Sequence, residues 1–544
     1  MTRNIFVMVA LIALVIGCAD RAEAAQRAAK GTRAIALDAA TLVDINAAYD
    51  ANTLSAEKLV RMYLKRIDAY DKQGPSLNSV IVLNPKALAT ARALDAERRK
   101  QGPRSALHGI PVLLKDNFDT VDLPTTGGSI LLQGSIPPDD AYTVRRLREA
   151  GAIILGKVNM AEFAYGDTHG SLIGQTLNPH DPARSASGSS GGTAAAVAAT
   201  FAAFGMGTDT SGSIREPAAF TGIVGLRPTM GLLSRDGIIP LALSFDTAGP
   251  MARHVYDVAA ALSTMTGVDP ADDATQASAG LFRTDYAQQL NGAALNGARI
   301  GVARDFKSGD GDVDWVMEAS LQTLRDAGAT LVDVSLPPWL LTIGSGFDRA
   351  IHYPEFRVQI AQYLATTGPG YPKNIDDLIA RSNKLVSLGV DGVGPSPWRW
   401  GAFKREAAAP GLDDSSYTAV RDHGMPLVRA VLEGVLSTNK LDAIVFPAQR
   451  RRPWLIDSPA SGSVEGPSAV YLSILSGFPE LVVPAGFTDN KLPVGISLLG
   501  RPFSEAKLLA LGYSFEQASH ARRLPRHTPL LPEQFIRVPC NQEC

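Results

Sequence analysis

Two loops rich in glycine and serine carry the side chains best suited to covalent chemistry. The first covers residues 187–192 and reads Ser-Gly-Ser-Ser-Gly-Gly, and the second covers residues 207–215 and reads Gly-Thr-Asp-Thr-Ser-Gly-Ser-Ile-Arg. Upstream of both, the apolar run 110–114 ends on Lys115, although buried strands normally exclude lysine because removing an ammonium group from water is costly. A serine hydroxyl needs a base within hydrogen-bond reach to become a good nucleophile. The three segments therefore predict a serine nucleophile with a lysine base.

Other chemistries fit the sequence less well. Residues 188–192 satisfy the pattern G-x-S-x-G with Ser190 at its centre, but the nucleophile elbow of α/β-hydrolases requires a strand directly before it, and the polar, proline-containing segment 178–185 predicts none. The eight histidines show no H-E-x-x-H spacing, and a phosphate-binding G-x-x-x-x-G-K-[ST] motif is absent. We therefore expect neither a metal ion nor an organic cofactor. Alone, a Gly/Ser loop is typical of a flexible turn, so the prediction depends on its combination with Lys115.

Short apolar runs that alternate with helical patterns indicate how these segments are positioned. Such alternation predicts an α/β fold, a single large domain with a central mixed β-sheet flanked by helices. We place this domain at residues 40–520, with a helical lobe at about 305–440 and a C-terminal tail at 521–544. The predicted strands are 110–114, 152–155, 300–303 and 443–446, and the predicted helices include 144–150 and 193–203. Residues 353–363 could form a lid or a wall of the substrate site.

The ends of the chain indicate where the protein works. Arg3 precedes an apolar run, 5–17, that is too short to span a bilayer but is typical of a secretory signal. Residues 1–24 are therefore predicted to be a signal peptide cleaved after Ala24, or a lipoprotein signal that leaves a lipid on Cys18. The protein is therefore expected to be exported to the periplasm or the exterior, or to be anchored at the outer membrane by that lipid. The lipid would be its only contact with a membrane. In such an oxidising compartment, Cys540 and Cys544 could close a small disulfide loop.

Composition narrows the class of partner. The formal net charge of the 544-residue chain is −2, and no stripe of basic residues predicts nucleic-acid binding. The expected partner is a small molecule or a short peptide amide, and the chain is expected to be a monomer or a homodimer. A non-catalytic solute-binding lipoprotein of similar length would share the apolar N-terminus and the α/β alternation, but it would not require the lysine and the two serines.

Several ordered motifs resemble the amidase signature family. They cover most of the predicted domain, and chance does not account for their order and spacing. Ser211 stands where many members have glycine, which is a small departure. The matching segments are 109–117, 188–192, 207–215, 222–229, 244–253, 477–479, 492–496 and 500–505. Residues 353–357 and 376–379 are further similar to the middle of peptide-amidase-like members, which hydrolyse C-terminal peptide amides.

The resemblance implies a role for each site residue. Ser213 would be the nucleophile, Ser189 a bridging serine that follows a cis peptide bond, and Lys115 the base. Lysine acts as a base only when neutral, which requires burial to lower its pKa from about 10.4 toward about 7 to 8. The backbone N–H groups of the second loop would form the oxyanion hole, whereas three further side chains would support the loops. The oxyanion residues are Thr210, Ser211, Gly212 and Ser213, and the supporting residues are Ser190, Asp209 and Arg215.

The resemblance thus predicts an exported amidase that cleaves carboxamide C–N bonds through an acyl-enzyme. Three alternatives stay open at this point: an esterase or carbamate hydrolase of the same family, a transamidation subunit that releases ammonia for a tRNA-bound substrate, and the solute-binding lipoprotein. The predicted export disfavours the transamidation subunit, because that activity requires cytosolic partners.

Overall fold

The computed structural model describes residues 31–387, 396–456 and 466–540. The predicted signal at 1–24, with Cys18, and the predicted disulfide partner Cys544 lie outside the described residues. Cys540 is disulfide-bonded. None of the helices in the described ranges combines the length and the apolar character needed to cross a bilayer.

The strands of the described chain form one large sheet and three small two-stranded ribbons. In chain order they are β1 (Thr32–Ala36), β2 (Val80–Leu83), β3 (Pro111–Lys115), β4 (Ile153–Val158), β5 (His169–Gly170), β6 (Gly174–Gln175), β7 (Leu177–Asn178), β8 (Asp181–Ser185), β9 (Phe204–Asp209), β10 (Val224–Arg227), β11 (Thr247–Ala252), β12 (Arg299–Ala303), β13 (Thr330–Val334), β14 (Ala443–Pro447), β15 (Glu480–Phe487), β16 (Pro493–Leu499) and β17 (Phe535–Pro539).

The large sheet contains eleven of these strands and mixes both directions. Its order is β13-β12-β14-β16-β15-β10-β11-β9-β3-β4-β2. Strands β9, β3 and β4 run parallel to one another, as do β13, β12 and β14, while the strands between these two groups pair antiparallel. The predicted α/β fold with a central mixed sheet is confirmed. Because β3 and β9 are parallel neighbours, the loops that follow them leave the same edge of the sheet.

Helices cover both the sheet and the site edge. Those of the described chain are Leu42–Asp50, Ala56–Tyr70, Ala87–Gln101, Tyr142–Glu149, Gly191–Ala198, Arg215–Thr221, Val255–Met265, Gly311–Asp326, Pro338–Ala365, Ile375–Ser387, Pro397–Ala407, Ser415–Ala419, Met425–Thr438, Val470–Ser476 and Glu505–Ser519, and a π-turn, Val420–Gly424, joins two of them. Helix starts follow local chemistry: the Ser55 hydroxyl accepts the Lys58 N–H at 3.1 Å, and Thr41 with Asp44 forms a capping box.

The predicted helix 193–203 differs from the observed one. The helix begins at Gly191 and ends at Ala198, because Thr200 adopts a left-handed φ of 61° that a helix cannot continue through. Every side chain of this alanine-rich helix is buried. Small residues suit that position, since a Cβ on Gly205 of β9 would lie 2.6 Å from Thr193 Cγ2. The helix therefore packs directly onto the strand that leads to the second loop.

The region predicted as a helical lobe at 305–440 contains both helices and a strand. β13 pairs with β12 at the edge of the large sheet, so residues 330–334 belong to the sheet core rather than to a separate helical layer. From Pro338 onward, every assigned element up to Thr438 is helical. These helices share two hydrophobic clusters with the sheet and its loops, one containing Leu432 and Phe446 of β14 and one containing Phe163, Phe356 and Phe403.

A short ribbon joins the two ends of the described chain. β1 pairs antiparallel with β17, and the Cys540 N–H donates to Gly31 O at 2.7 Å. Arg66 is fully buried beneath this ribbon, and its guanidinium donates to Thr528 O at 2.7 Å and to Gln534 Oε1 at 2.7 Å. The C-terminal segment therefore satisfies a charge that the core could not otherwise hold.

Candidate active site

Lys115 ends the central strand β3 with its side chain fully buried. Its Nζ donates to Ser189 Oγ at 2.7 Å and to Thr208 Oγ1 at 2.7 Å, with Thr208 O at 3.3 Å. Burial lowers the pKa of Lys115 from 10.5 to about 7, although Asp209 and Asp246 act in the opposite direction. The lysine can therefore be neutral near physiological pH and still contact a serine hydroxyl.

Ser189 lies in the loop that enters the buried helix Gly191–Ala198, and its peptide bond to Gly188 is cis. The glycines of this loop are required by close contacts. A Cβ on Gly188 would lie 2.2 Å from Gly166 O, and one on Gly192 would lie 2.0 Å from Asn159 O. Backbone atoms cannot yield at such distances, so only glycine fits at these two positions.

Ser213 lies in the loop between β9 and the helix Arg215–Thr221. This loop is joined to the first one, since the Ser190 N–H donates to Ser213 O at 3.2 Å. The Ser213 side chain is 8% exposed and lines a cavity. Within the described part of the chain, its hydroxyl makes no hydrogen bond to protein. The parallel pairing of β3 with β9 thus brings the three predicted residues Lys115, Ser189 and Ser213 to one edge of the sheet.

Asp209 holds the second loop through a network of charges. Its carboxylate accepts from Arg215 Nε at 3.0 Å and from Arg227 Nη1 at 3.0 Å. Burial alone would raise the pKa of the Asp209 carboxyl, but the charges of Arg215 and Arg227 hold it well below its usual range. Arg215 also donates to Glu480 Oε2 at 2.6 Å, which ties the loop to β15. The ion pair of Asp209 with Arg215 is therefore part of a four-residue buried cluster.

The predicted oxyanion hole needs one correction. The Gly212 N–H already donates to Asp209 Oδ1 at 2.9 Å, so its single hydrogen is used inside the loop. Gly212 instead lets the loop turn, with a left-handed φ of 102°. The backbone N–H groups of Thr210, Ser211 and Ser213 are the remaining predicted donors.

The side chains of this loop reach two further carboxylates. The Thr210 hydroxyl donates to Asp246 Oδ1 at 2.5 Å, and the Ser211 hydroxyl donates to Asp348 Oδ1 at 2.8 Å. Burial raises the pKa of Asp246. Asp348 belongs to the long helix Pro338–Ala365, so Ser211 connects the loop to the helical region.

Ser190 makes structural contacts rather than facing the cavity. It is fully buried, and its hydroxyl donates to Thr208 O at 3.0 Å.

Contrary to the expectation for residues 178–185, the short strand β8 does precede this loop. It pairs with β7 in a separate ribbon and not with the central sheet, so it does not form the strand of an α/β-hydrolase elbow.

The cavity that Ser213 lines has a volume of about 580 Å³. This is within the range of sites that enclose drug-sized molecules, about 300 to 1,000 Å³. Aromatic and charged side chains both contribute to its wall. They include Tyr165, His352, Trp398 and Trp454 among the aromatic residues, and Glu216, Asp348, Arg450 and Arg451 among the charged ones.

Three further residues of the site were not predicted as site residues. Thr208 Oγ1 accepts from both Lys115 Nζ and Asn117 Nδ2, the latter at 3.0 Å. Both Thr208 and Asn117 lie within the segments that resemble the family, which was a usable signal. Glu480 lies far away in sequence and carried no such signal. Across residues 31–387, 396–456 and 466–540, no group of three or more His, Cys, Asp or Glu side chains is arranged to hold a metal ion.

Comparison with known proteins gives a consistent result. A family model described as Amidase matches residues 58–509. A glutamyl-tRNA(Gln) amidotransferase subunit of Myxococcus xanthus is 36% identical over 490 residues, which cover 88% of this chain and 96% of that protein. A probable amidase of Arabidopsis thaliana is 33% identical over 500 residues, covering 90% of this chain and 91% of that protein.

Among solved structures, the native peptide amidase of Stenotrophomonas maltophilia superposes with a TM-score of 0.83 at 39% sequence identity. The match covers 90% of this chain and 98% of that chain. The similarity therefore extends over nearly the whole of the described fold and not only over the glycine-rich loops.

Proposed function

Since the chain belongs to the amidase family, we propose that it hydrolyses short peptide amides or similar small linear amides through an acyl-enzyme on Ser213. The observation that carries this proposal is the contact of the buried Lys115 Nζ with Ser189 Oγ at 2.7 Å. The likeness to a peptide amidase at 39% identity supports the choice of substrate.

Acylation begins with proton transfer along the two serines. Neutral Lys115 takes the proton of Ser189 Oγ as Ser189 takes that of Ser213 Oγ, which becomes able to bond the amide carbon. Ser213 Oγ carries no hydrogen bond to the described residues, so its hydroxyl is not held away from this relay by another protein group. The backbone N–H groups of Thr210, Ser211 and Ser213 stabilise the negative oxygen that forms.

The relay then runs in reverse. The proton on Lys115 returns through Ser189 to the amine nitrogen, the C–N bond breaks and ammonia or an amine leaves. Water then attacks the acyl ester with the same relay acting as base, and Ser213 is restored as the carboxylic acid departs. Desolvation of Lys115 supports this scheme, because a lysine with a pKa of about 7 can both accept and release a proton.

Trapping of the nucleophile tests the proposal. Purified protein is treated with a fluorophosphonate, digested, and the modified peptide is identified by mass spectrometry. We expect modification on Ser213, its loss in Ser213→Ala, and its retention in Ser190→Ala, since Ser190 Oγ is engaged by Thr208 O. Modification of any other residue contradicts the assignment of the nucleophile.

A second candidate is an amidotransferase subunit, favoured by the 36% identity to such a protein of Myxococcus xanthus. Esterase or carbamate hydrolase activity would use the same relay, and a solute-binding lipoprotein would use none. Turnover measured side by side on a peptide amide, free glutamine, an ester and a carbamate separates these functions. The proposed amidase turns over the peptide amide with the highest kcat/KM.

Export remains part of the proposal and is supported by the apolar run 5–17 after Arg3. Intact-mass analysis of the protein expressed in a bacterial host tests it. We expect a mature chain that begins after Ala24 or at a lipidated Cys18, whereas a full-length chain recovered from the cytosol contradicts export.

A further inference from the structure

Trp398 is the most exposed large aromatic side chain of the cavity wall. It is 68% exposed, whereas Ser213, which lines the same cavity, is 8% exposed. The cavity therefore runs from a buried end at the proposed nucleophile to an open rim at an indole ring. Single exposed aromatic residues are common on protein surfaces, so the argument depends on the position of Trp398 on the wall of the cavity that Ser213 lines.

The backbone under Trp398 is firmly held, so its exposure does not result from a loose helix. The neighbouring Arg399 is fully buried and makes a bidentate ion pair with Glu406 at 2.8 and 2.9 Å. Its guanidinium also stacks on two rings, 4.2 Å from the centroid of Phe356 and 4.3 Å from that of Phe403. The ion pair and the Phe403 contact lie within the helix Pro397–Ala407, and the contact with Phe356 joins this helix to the helix Pro338–Ala365.

Two more bonds fix the same helix at its other faces. The Ser396 N–H donates to Glu162 Oε2 at 2.8 Å, and Trp400 Nε1 donates to Asn383 Oδ1 at 3.0 Å. Glu162 follows β4, so the start of the helix is bonded to the region of the central sheet. Trp398 is thus presented outward on a rigid support at the edge of the cavity.

We propose that Trp398 forms a distal subsite that binds the part of a peptide amide lying beyond the residue that carries the scissile amide. This inference rests on the proposed function and adds a preference for acyl groups of several residues. The cavity volume of about 580 Å³ exceeds what a single amino-acid amide requires, and an aromatic rim binds peptide backbone and side chains by stacking at small entropic cost.

The test compares two substrates with the same reacting residue. N-acetyl-leucinamide ends next to the scissile amide, whereas glycyl-phenylalanyl-leucinamide extends beyond it. We expect Trp398→Ala to lower kcat/KM for the tripeptide amide about three- to tenfold, mainly through KM, and to leave the short substrate within about twofold. Trp398→Phe keeps a ring and should retain most of the activity on the tripeptide amide.

Trp315 provides a matched control, because it is 70% exposed but does not line the cavity. Trp315→Ala should leave both substrates unchanged. Equal loss on both substrates in Trp398→Ala, loss on neither, or the same loss in Trp315→Ala would overturn the distal subsite. Failure of the wild-type protein to turn over either amide would instead contradict the proposed function.

Discussion

Lys115 Nζ and Ser189 Oγ are 2.7 Å apart although the two residues are separated by 74 positions in the sequence. The contact exists because β3 places the lysine at the edge of the sheet where the first glycine-rich loop turns into a buried helix. The Thr208 hydroxyl holds the same ammonium group from the neighbouring strand β9. Proton transfer at this site therefore depends on the pairing of β3 with β9 as much as on the side chains themselves.

The activity should rise with pH as Lys115 loses its proton. Its pKa of about 7 predicts that kcat/KM is half-maximal near that pH and levels off above about pH 8. Lys115→Ala should lower kcat by about 10² to 10⁴ and abolish this limb of the profile. A rate that is independent of pH between about 6 and 8 contradicts the assignment of the base.

The same lysine should make stability depend on pH. Its pKa is lower in the folded than in the unfolded state, so the unfolded chain binds more protons between about pH 7 and pH 10.5, and the free energy of unfolding rises with pH there. Lys115→Met should lack this contribution. Its free energy of unfolding relative to wild type should fall by about 2 kcal/mol between about pH 7.5 and 9.5, as measured by urea denaturation.

The hydroxyl of Thr208 should raise the pKa of Lys115. Thr208→Val removes a hydroxyl that accepts a hydrogen bond from Lys115 Nζ, and loss of a bond to the charged form favours the neutral form. The acidic limb of the kcat/KM profile should move down by about one pH unit, with a lower kcat because Lys115 is less well oriented. Thr208→Ser retains the hydroxyl and should restore the profile. An unshifted limb in Thr208→Val would show that this contact is dispensable.

Asp209 should be needed for stability as well as for activity. Asp209→Asn removes the charge that balances Arg215 and Arg227 in a fully buried cluster, which should cost about 3 to 5 kcal/mol in the free energy of unfolding. Asp285, which is only partly buried and pairs with Arg283, offers the control. Asp285→Asn should leave the Tm unchanged, and similar Tm values for both variants would contradict the buried-cluster argument.

Gly192 should not tolerate a side chain. A Cβ there would lie 2.0 Å from Asn159 O, so Gly192→Ala must displace the first loop and should cost about 1 to 3 kcal/mol together with most of the activity. Gly434, in the helix Met425–Thr438, has no atom within 4 Å of an added Cβ. Gly434→Ala should be neutral or stabilising by up to about 1 kcal/mol. Thermal unfolding and amide turnover of the two variants check this contrast.

Sequence patterns predicted those features of the fold and the site that depend on residues close together in the chain. The unusual lysine after an apolar run marked Lys115, and the alternation of short apolar runs predicted strands that are all present as β3, β4, β12 and β14. The helix after the first loop was predicted too long, since nothing in an alanine-rich sequence shows that Thr200 will turn left-handed.

Contacts between distant segments could not be predicted. Glu480 reaches Arg215 because the helix Arg215–Thr221 packs against β15, and that packing is a property of the whole fold. The hydrogen bond from the Gly212 N–H to Asp209 could not be predicted from a motif either, because it depends on the path of the loop. Trp398 is exposed whereas its neighbour Arg399 is buried, an arrangement that a hydrophobic pattern would not suggest.

The ribbon of β1 and β17 brings residue 31 and residue 540 within one hydrogen bond of each other. Both ends of the described chain therefore leave the molecule at one point, above the buried Arg66. A short linker could join them into a closed chain, and new ends could then be opened in an exposed loop without breaking the central sheet. A label or immobilising group attached at residue 31 or at residue 540 would hold the molecule from this same point.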